Sequence, residues 1–272
     1  MSLSGKVWFI TGTSRGFGRV WAEAALERGD RVAATARNVD DIVGLSEAFG
    51  DAVLLLRLDV RDREAVRDAV AAAVAHFGRL DVLVNNAGYG LFGPVETIGE
   101  EEARDQMDTN FFGTLWATQA ALPVMRRQGS GHLVQVSSIA GLASWPMLGL
   151  YHASKWAIEG LSEALAQEVA RFGIHVTLLE PGPYRTDWRG DSAVWADPGP
   201  VYADVAKPPS AGSLPGDPRA TAGPLLDIVD APNPPLRVLF GGTVLQTVRS
   251  VYEDRLGTWE RWSSLARAAQ GE

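Results

Sequence analysis

The chain has 272 residues, 46% of them hydrophobic and 8% aromatic, which is enough apolar material for a full core in one or two domains and excludes disordered or collagen-like readings. Its 25 Lys plus Arg against 33 Asp plus Glu leave a net charge of -8, so it offers no electrostatic footprint for nucleic acid or an anionic membrane. Cysteine is absent, which removes disulfides, thiolate nucleophiles and cysteine metal sites.

The N-terminal run from Leu3 to Ile10 carries Ser4, Gly5 and Lys6 and enters a glycine turn directly, so no signal peptide fits there. The longest apolar stretches, 69–74 and 111–125, fall short of the ~20 residues a membrane span needs. A soluble, cytoplasmic protein is expected. Short β-branched runs predict strands over 7–10, 31–36, 53–58, 82–84, 132–136 and 175–179. Between them, apolar residues at helical spacing predict helices over 18–28, 63–77, 101–126 and 154–171, with stops near Gly29, Gly78, Gly129 and Gly173. Strand-helix alternation of this length implies an α/β fold with a doubly wound parallel sheet. Ten of the fifteen prolines then fall between residues 198 and 235, and 188–235 reads as loop and short helix, either a surface connection or a substrate lid. A further strand over 235–241 and an amphipathic helix over 244–267, carrying Trp259 and Trp262, close what is read as one domain over 1–272. No internal repeat is seen.

The first strand runs into Thr11-Gly12-Thr13-Ser14-Arg15-Gly16-Phe17-Gly18 and then a helix. A helix N-terminus with closely approachable backbone is a cradle for a diphosphate: Gly12 allows the tight turn, Gly16 clears the space where the pyrophosphate lies, and Gly18 lets the helix pack on the strand. A glycine triplet alone is a tight turn; its position after the first strand of an alternating sheet points to a dinucleotide. The second strand ends Thr35-Ala36-Arg37, without the carboxylate that would bind the ribose diol of NAD, although Asp40 and Asp41 follow. Arg37 and Arg15 either bracket a 2'-phosphate with their guanidinium forks or are merely solvated; the first reading makes NADP(H) the expected cofactor and NAD(H) the alternative. Leu58-Asp59-Val60 places a carboxylate beyond the third strand, where it can accept from the adenine amine. Asn85-Asn86-Ala87-Gly88 follows the fourth strand, with amides for neighbouring backbone and small residues beside the cofactor.

Tyr151-His152-Ala153-Ser154-Lys155 puts a phenol and an ammonium at i and i+4 on one helical face. A neighbouring cation favours the ionised phenol, so this lysine, together with an oxidised nicotinamide, would bring Tyr151 toward working pH as an acid/base group. The chain has only three lysines, Lys6, Lys155 and Lys207. Ser138 lies thirteen residues earlier, after a strand, and can hydrogen-bond the same substrate oxygen; Ser137 is its competitor.

TGTSRGFG, LDV, NNAG, Asn110, Ser138 with Tyr151 and Lys155, and Pro181-Gly182 with Thr186 occur in an order and spacing that resembles the short-chain dehydrogenase/reductase family over roughly residues 4–190. The resemblance implies a Rossmann-like sheet of about seven strands. It also implies that Asn110 holds a backbone water connecting Lys155 to solvent, that Lys155 binds the nicotinamide ribose, and that Thr186 contacts the carboxamide. The cofactor contacts it implies run through Gly12, Ser14, Arg15, Gly16, Phe17, Gly18, Val60, Asn86, Ala87, Gly88, Pro181 and Gly182. Phe17 replaces the usual isoleucine or leucine, a change expected to affect packing only. The loop 88–95, the arginine ending the second strand and the C-terminal tail resemble the branch of 17β-hydroxysteroid and retinol dehydrogenases. A homodimer or homotetramer through the helices carrying Asn110 and Tyr151 is implied as well.

Tyr184, Trp188 and Trp195 join Trp145, Met147 and Leu148 as candidates for a substrate wall beyond the C-terminal strand ends, suited to a bulky apolar carbonyl. Arg185 and Arg189 read as solvated. The four histidines, His76, His132, His152 and His175, show no ligand spacing, so no metal site is expected, and no Gly-x-Ser-x-Gly hydrolase elbow occurs. The expected activity is an NADP(H)-dependent interconversion of carbonyl and alcohol. The alternatives are an NAD-preferring alcohol dehydrogenase and a non-catalytic module that senses the cofactor.

Overall fold

The computed structural model describes residues 5–205 and 215–271. Lys207, Pro208 and Pro209 lie outside the described residues, as do Leu3 and Ser4. The elements run β1 (Val7–Ile10), α1 (Gly16–Glu27), β2 (Arg31–Ala36), α2 (Val43–Phe49), β3 (Val53–Arg57), α3 (Arg63–Phe77), β4 (Val82–Asn85), β5 (Leu91–Phe92), α4 (Glu100–Met107), α5 (Gly113–Gln128), β6 (Gly131–Val136), α6 (Gly149–Val169), β7 (Ile174–Pro181), β8 (Val194–Trp195), α7 (Ala222–Asp230), β9 (Arg237–Phe240), α8 (Val244–Arg261) and α9 (Ser263–Gln270).

Seven strands form a parallel sheet in the order β3-β2-β1-β4-β6-β7-β9, the Rossmann-like arrangement. Successive side chains on a strand point to opposite faces, and β1 shows the result. Val7 and Phe9 join a core under α3, α5 and α6, while Trp8 and Ile10 join a second core under α1, α2 and α7; none of the four is solvent-exposed. A strand covered on both faces needs this continuous apolar run. The two indole N–H groups buried in this second core are paired: Trp8 Nε1 donates to Asp30 Oδ2 at 2.8 Å, and Trp21 Nε1 donates to Thr221 Oγ1 at 2.8 Å, tying α1 to the proline-rich region.

Local chemistry sets the helix ends. Asp62 caps α3 by accepting from Ala65 N, and Gly78 ends it with φ +80°. The helix expected over 101–126 is divided into α4 and α5 by a wider π turn, Asp108–Phe112. There Thr114 Oγ1 donates to Asn110 O at 2.8 Å, competing with the regular ladder, and the turn directs the Asn110 carboxamide inward. The helix expected over 244–267 is likewise two, broken at Trp262, because an exposed helix with only Val244 buried has little packing to hold it straight. The proline-rich region contains a full helix, α7, whose Leu225 and Val229 reach the second core, and β8 pairs with β5 in a small parallel sheet of its own. Among the described residues no helix is long and apolar enough to cross a membrane.

His132 on β6 is buried, and its Nε2 lies 2.9 Å from Thr177 Oγ1. Thr177 spends its own proton on Pro235 O at 2.8 Å, so the imidazole Nε2–H is the donor. Burial, helped by neighbouring His175, pushes the His132 pKa down to about 3. The unfolded chain therefore binds a proton that the folded chain refuses between about pH 6.5 and 3, and stability falls with acidification through that window by up to ~1.4 kcal/mol per pH unit. Urea unfolding of His132→Gln at pH 4, 5, 6 and 7 is expected to show a shallower pH slope than the wild type; parallel slopes would refute the assignment.

Candidate active site

The site lies at the C-terminal ends of β1, β4, β6 and β7, where the chain's winding direction reverses across the sheet and a crevice opens. Gly12 and Gly16 adopt φ +71° and +59°, values that favour glycine. Gly18 is constrained by space: an added Cβ would stand 2.3 Å from Gly12 O and 2.5 Å from Asn86 Nδ2. The loop after β4 braces this turn. Asn86 Nδ2 donates to Thr11 O at 2.8 Å and to Gly12 O at 2.9 Å, and the backbone N–H groups of Asn86 and Ala87 both donate to Thr11 Oγ1 at 2.9 Å. Thr11 is a bracing residue that sequence reasoning did not single out; its signal was only a hydroxyl at a strand end. The cradle keeps Gly16 clear of side chains except Thr186, whose Cβ and Cγ2 stand 3.7 Å from where a Cβ would be.

The other cofactor candidates are placed as follows. Ser14 sits half-buried in the turn, and Phe17 stacks on Trp21 with ring centroids 5.0 Å apart, a packing role. Arg15 is drawn to Asp187, Nη1 to Oδ2 2.5 Å, while Arg37 is exposed and makes no hydrogen bond or ion pair with the described residues. Asp59 is engaged by Arg61, whose Nη2 donates at 2.8 Å, and this hydrogen bond holds its carboxyl below the usual range. Val60 turns its side chain into the core against Gly113. Gly88 leaves room for Asn110, with Asn110 Oδ1 3.0 Å from an added Cβ, and Gly182 sits beside Val244, its N donating to Phe240 O at 2.8 Å. Pro181, which ends β7, offers its carbonyl to Ser138 at 3.4 Å.

On α6 the buried face carries Tyr151 and Lys155, each 6% exposed. Lys155 Nζ lies 5.8 Å from the Tyr151 ring centroid and donates to Val136 O at 2.8 Å. The Asn110 carboxamide is fully bonded, accepting from Tyr89 N at 3.1 Å and donating to Tyr89 O and Ser154 Oγ, both at 3.1 Å. The two adjacent serines separate. Ser138 faces the Tyr151 phenol and also accepts from Ala140 N at 3.1 Å, whereas the buried Ser137 hydroxyl points toward Glu159. His152 bonds Ala140 O through Nδ1 and accepts from Trp145 N through Nε2, both at 2.9 Å, which fixes the loop before α6.

Burial decides the ionisation of the pair. It pushes the Tyr151 phenol up to about 12, with Ser138 and Trp188 pulling weakly the other way, and it pushes Lys155 down to about 8. In the protein by itself, burial and not the lysine sets the ionisation of the phenol. At neutral pH the Tyr151 phenol holds its proton.

Aromatic rings wall the space over the phenol. Trp188 packs 5.1 Å from the Tyr151 ring and 5.0 Å from Phe92, and the half-exposed Trp195 stacks on Phe92 at 4.1 Å. Trp188 Nε1 is buried without a well-formed hydrogen bond, close to the phenol oxygen. Leu148 packs in the same cluster, while Met147 holds φ +68° and its carbonyl accepts from Gly93 N at 2.8 Å. Tyr184 is not part of this wall: it packs edge-on against Phe17 in the core beneath α1. Trp145 lies against His152. Arg185 pairs with Asp217 at 3.6 Å and Arg189 lies over Trp188. Phe92 was missed by sequence reasoning, since one phenylalanine in a glycine loop carries no pattern that places it against two tryptophans.

The sequence profile for short chain dehydrogenases matches residues 6–197. The chain is similar to the oxidoreductase BOA17 of Botryotinia fuckeliana, 41% identical over 97% of this chain and 99% of that one. It is also similar to a 3-ketodihydrosphingosine reductase of Bacteroides thetaiotaomicron, 37% identical over 88% and 89%. Among solved structures, a short-chain dehydrogenase from Streptomyces avermitilis superposes with a TM-score of 0.93 at 39% identity, covering 99% of this chain and 100% of that one. One from Burkholderia cenocepacia in complex with NADP superposes with a TM-score of 0.75 at 26% identity, covering 96% and 98%. With the glycine cradle, the crevice at the sheet's reversal and the buried Tyr151–Lys155 pair, these matches show that the chain belongs to the short-chain dehydrogenase/reductase family of nicotinamide-dependent oxidoreductases.

Proposed function

We propose that this protein is an NADP(H)-dependent reductase of a bulky apolar ketone or aldehyde, able to run in reverse as an alcohol dehydrogenase. The observation that carries this reading is a buried, protonated phenol, Tyr151, beside the Ser138 hydroxyl and under an aromatic wall of Trp188, Phe92 and Trp195. The Gly12-Ser14-Gly16-Gly18 turn, braced by Asn86, would hold the diphosphate of the cofactor, with Ala87 and Gly88 alongside, Asp59 and Val60 at the adenine end, and Pro181, Gly182 and Thr186 toward the nicotinamide. When bound, the nicotinamide supplies or accepts the hydride.

The chain's own residues handle the proton. In reduction, Ser138 and Tyr151 donate hydrogen bonds to the carbonyl oxygen, and as the carbonyl carbon gains hydride the phenol proton passes to that oxygen, leaving phenolate and alcohol. The Lys155 ammonium, held by Val136 O, stabilises the phenolate. Asn110 fixes the Tyr89 backbone and Ser154 and so positions α6. Of the two arginines at the adenosine end, Arg37 carries the cofactor preference, because it is free to meet a 2'-phosphate whereas Arg15 is paired with Asp187.

Two variants test this. Tyr151→Phe is expected to lower turnover of any accepted ketone by at least ~100-fold while NADPH still binds, read by NADPH oxidation and by fluorescence titration; a fully active variant would sink the proposal. Arg37→Ala is expected to raise the Kd for NADPH about tenfold while that for NADH barely moves, the size of one lost charge-assisted contact to phosphate; equal effects on both would remove the NADP(H) assignment.

A further inference from the structure

Behind Tyr151 and Lys155 lies a second buried polar group that the chemistry above leaves unused. Glu159 follows Lys155 by one turn on the same face of α6 and is 5% exposed; Glu180, near the end of β7, is 1% exposed. Arg237 reaches both from β9, its Nε 3.0 Å from Glu159 Oε2 and 3.5 Å from Glu180 Oε1, while its Nη2 donates to the exposed Glu163 at 2.7 Å. An added Cβ at Gly141 would lie 2.8 Å from Ser137 Oγ and 3.2 Å from Glu159 Oε1, so hydroxyl and carboxyl share one small space although neither forms a well-aligned hydrogen bond there.

Counting charges constrains this group. Arg237 pairs with three carboxyls, Glu159, Glu163 and Glu180, while Lys155 lies one turn from Glu159 on the same buried face of α6, near the neutral Tyr151 and His152. Glu163 is exposed and its charge is met by water, whereas Glu159 and Glu180 are buried against one arginine, and ionising both there is costly. Burial and the neighbouring Glu159 push Glu180 up to about 8, so it keeps its proton at neutral pH. Burial also raises Glu159, but the Ser137 hydroxyl and Arg237 oppose that rise.

We propose that Glu159 is a positioning residue: a buried counter-charge one helical turn from Lys155, anchored by Arg237, that holds the lysine in its ammonium form beneath Tyr151. Its catalytic meaning rests on the reductase reading above; the charge relation does not. Desolvation alone drives Lys155 toward the neutral amine, and Glu159 is the charge that opposes it.

Because the chain holds only three lysines, NMR of the full chain labelled with 13C at lysine Cε reports Lys155 directly, with Lys155→Met identifying its signal. Glu159→Gln, which keeps the shape, is expected to lower the Lys155 midpoint by about one pH unit. Glu168→Gln on the exposed face of the same helix leaves it in place. An unchanged midpoint in folded Glu159→Gln overturns the proposal. Should that variant fail to fold, 13C-carboxyl labelling of glutamate in the wild type decides instead: at pH 7 an ionised Glu159 beside a protonated Glu180 is expected, and a neutral Glu159 overturns it. With a ketone that is turned over, the alkaline limb of kcat in Glu159→Gln moves down with the lysine. A shifted lysine in an enzyme that reduces no carbonyl upholds the counter-charge and refutes the reductase.

Discussion

The Asn86 carboxamide is the contact on which the site depends. It donates to the carbonyls of Thr11 and Gly12 while Thr11 Oγ1 receives the backbone N–H groups of Asn86 and Ala87. β1 and β4 are neighbours in the sheet, but beyond Ile10 and Asn85 the ladder ends and their loops diverge. A cradle for an anion needs backbone N–H groups pointing outward, and it can keep them outward only if its carbonyls are satisfied from behind. Asn86 does this, and it can approach so closely because Gly18 has no side chain.

The second constraint is the cost of burying charge on one face of α6. Tyr151, Lys155 and Glu159 follow at four-residue intervals and each lies at or below 6% exposure. Low dielectric drives each toward its neutral form, so the phenol holds its proton more tightly and the ammonium less tightly than in water. A protonated acid beside a cation suits donation of a proton to an oxygen that is gaining charge. One turn beyond the lysine on this face the chain places Glu159, held by an arginine from the far edge strand.

Tertiary pairing also turns an irregular region into a wall. β5 and β8 are two residues each, yet their parallel pairing brings Trp195 onto Phe92 and encloses Trp188 against Tyr151. Gly90 permits this, since an added Cβ would stand 2.9 Å from Trp188 Cε2. The same segment reaches the glycine turn through Asp187, which pairs with Arg15 and also accepts from Ser192 Oγ at 2.9 Å. The aromatic wall and the glycine turn are thus parts of one connected loop system.

The sheet, the glycine turn and the Tyr151–Lys155 spacing were legible in the sequence because they rest on local periodicity and on residue types whose chemistry is fixed along the chain. Helix α2, the π turn at Asn110 and the break at Trp262 were not, since short or interrupted helices are decided by what they pack against. Composition hid other features: Glu180 reads as one acid among 33 Asp plus Glu, and Arg237 as one base among 25 Lys plus Arg, until β7 and β9 pair and bring them together. Sequence alone determined which groups are available and the helical face they share. Only the tertiary structure decided their protonation, because that depends on burial and on charges brought in from distant strands.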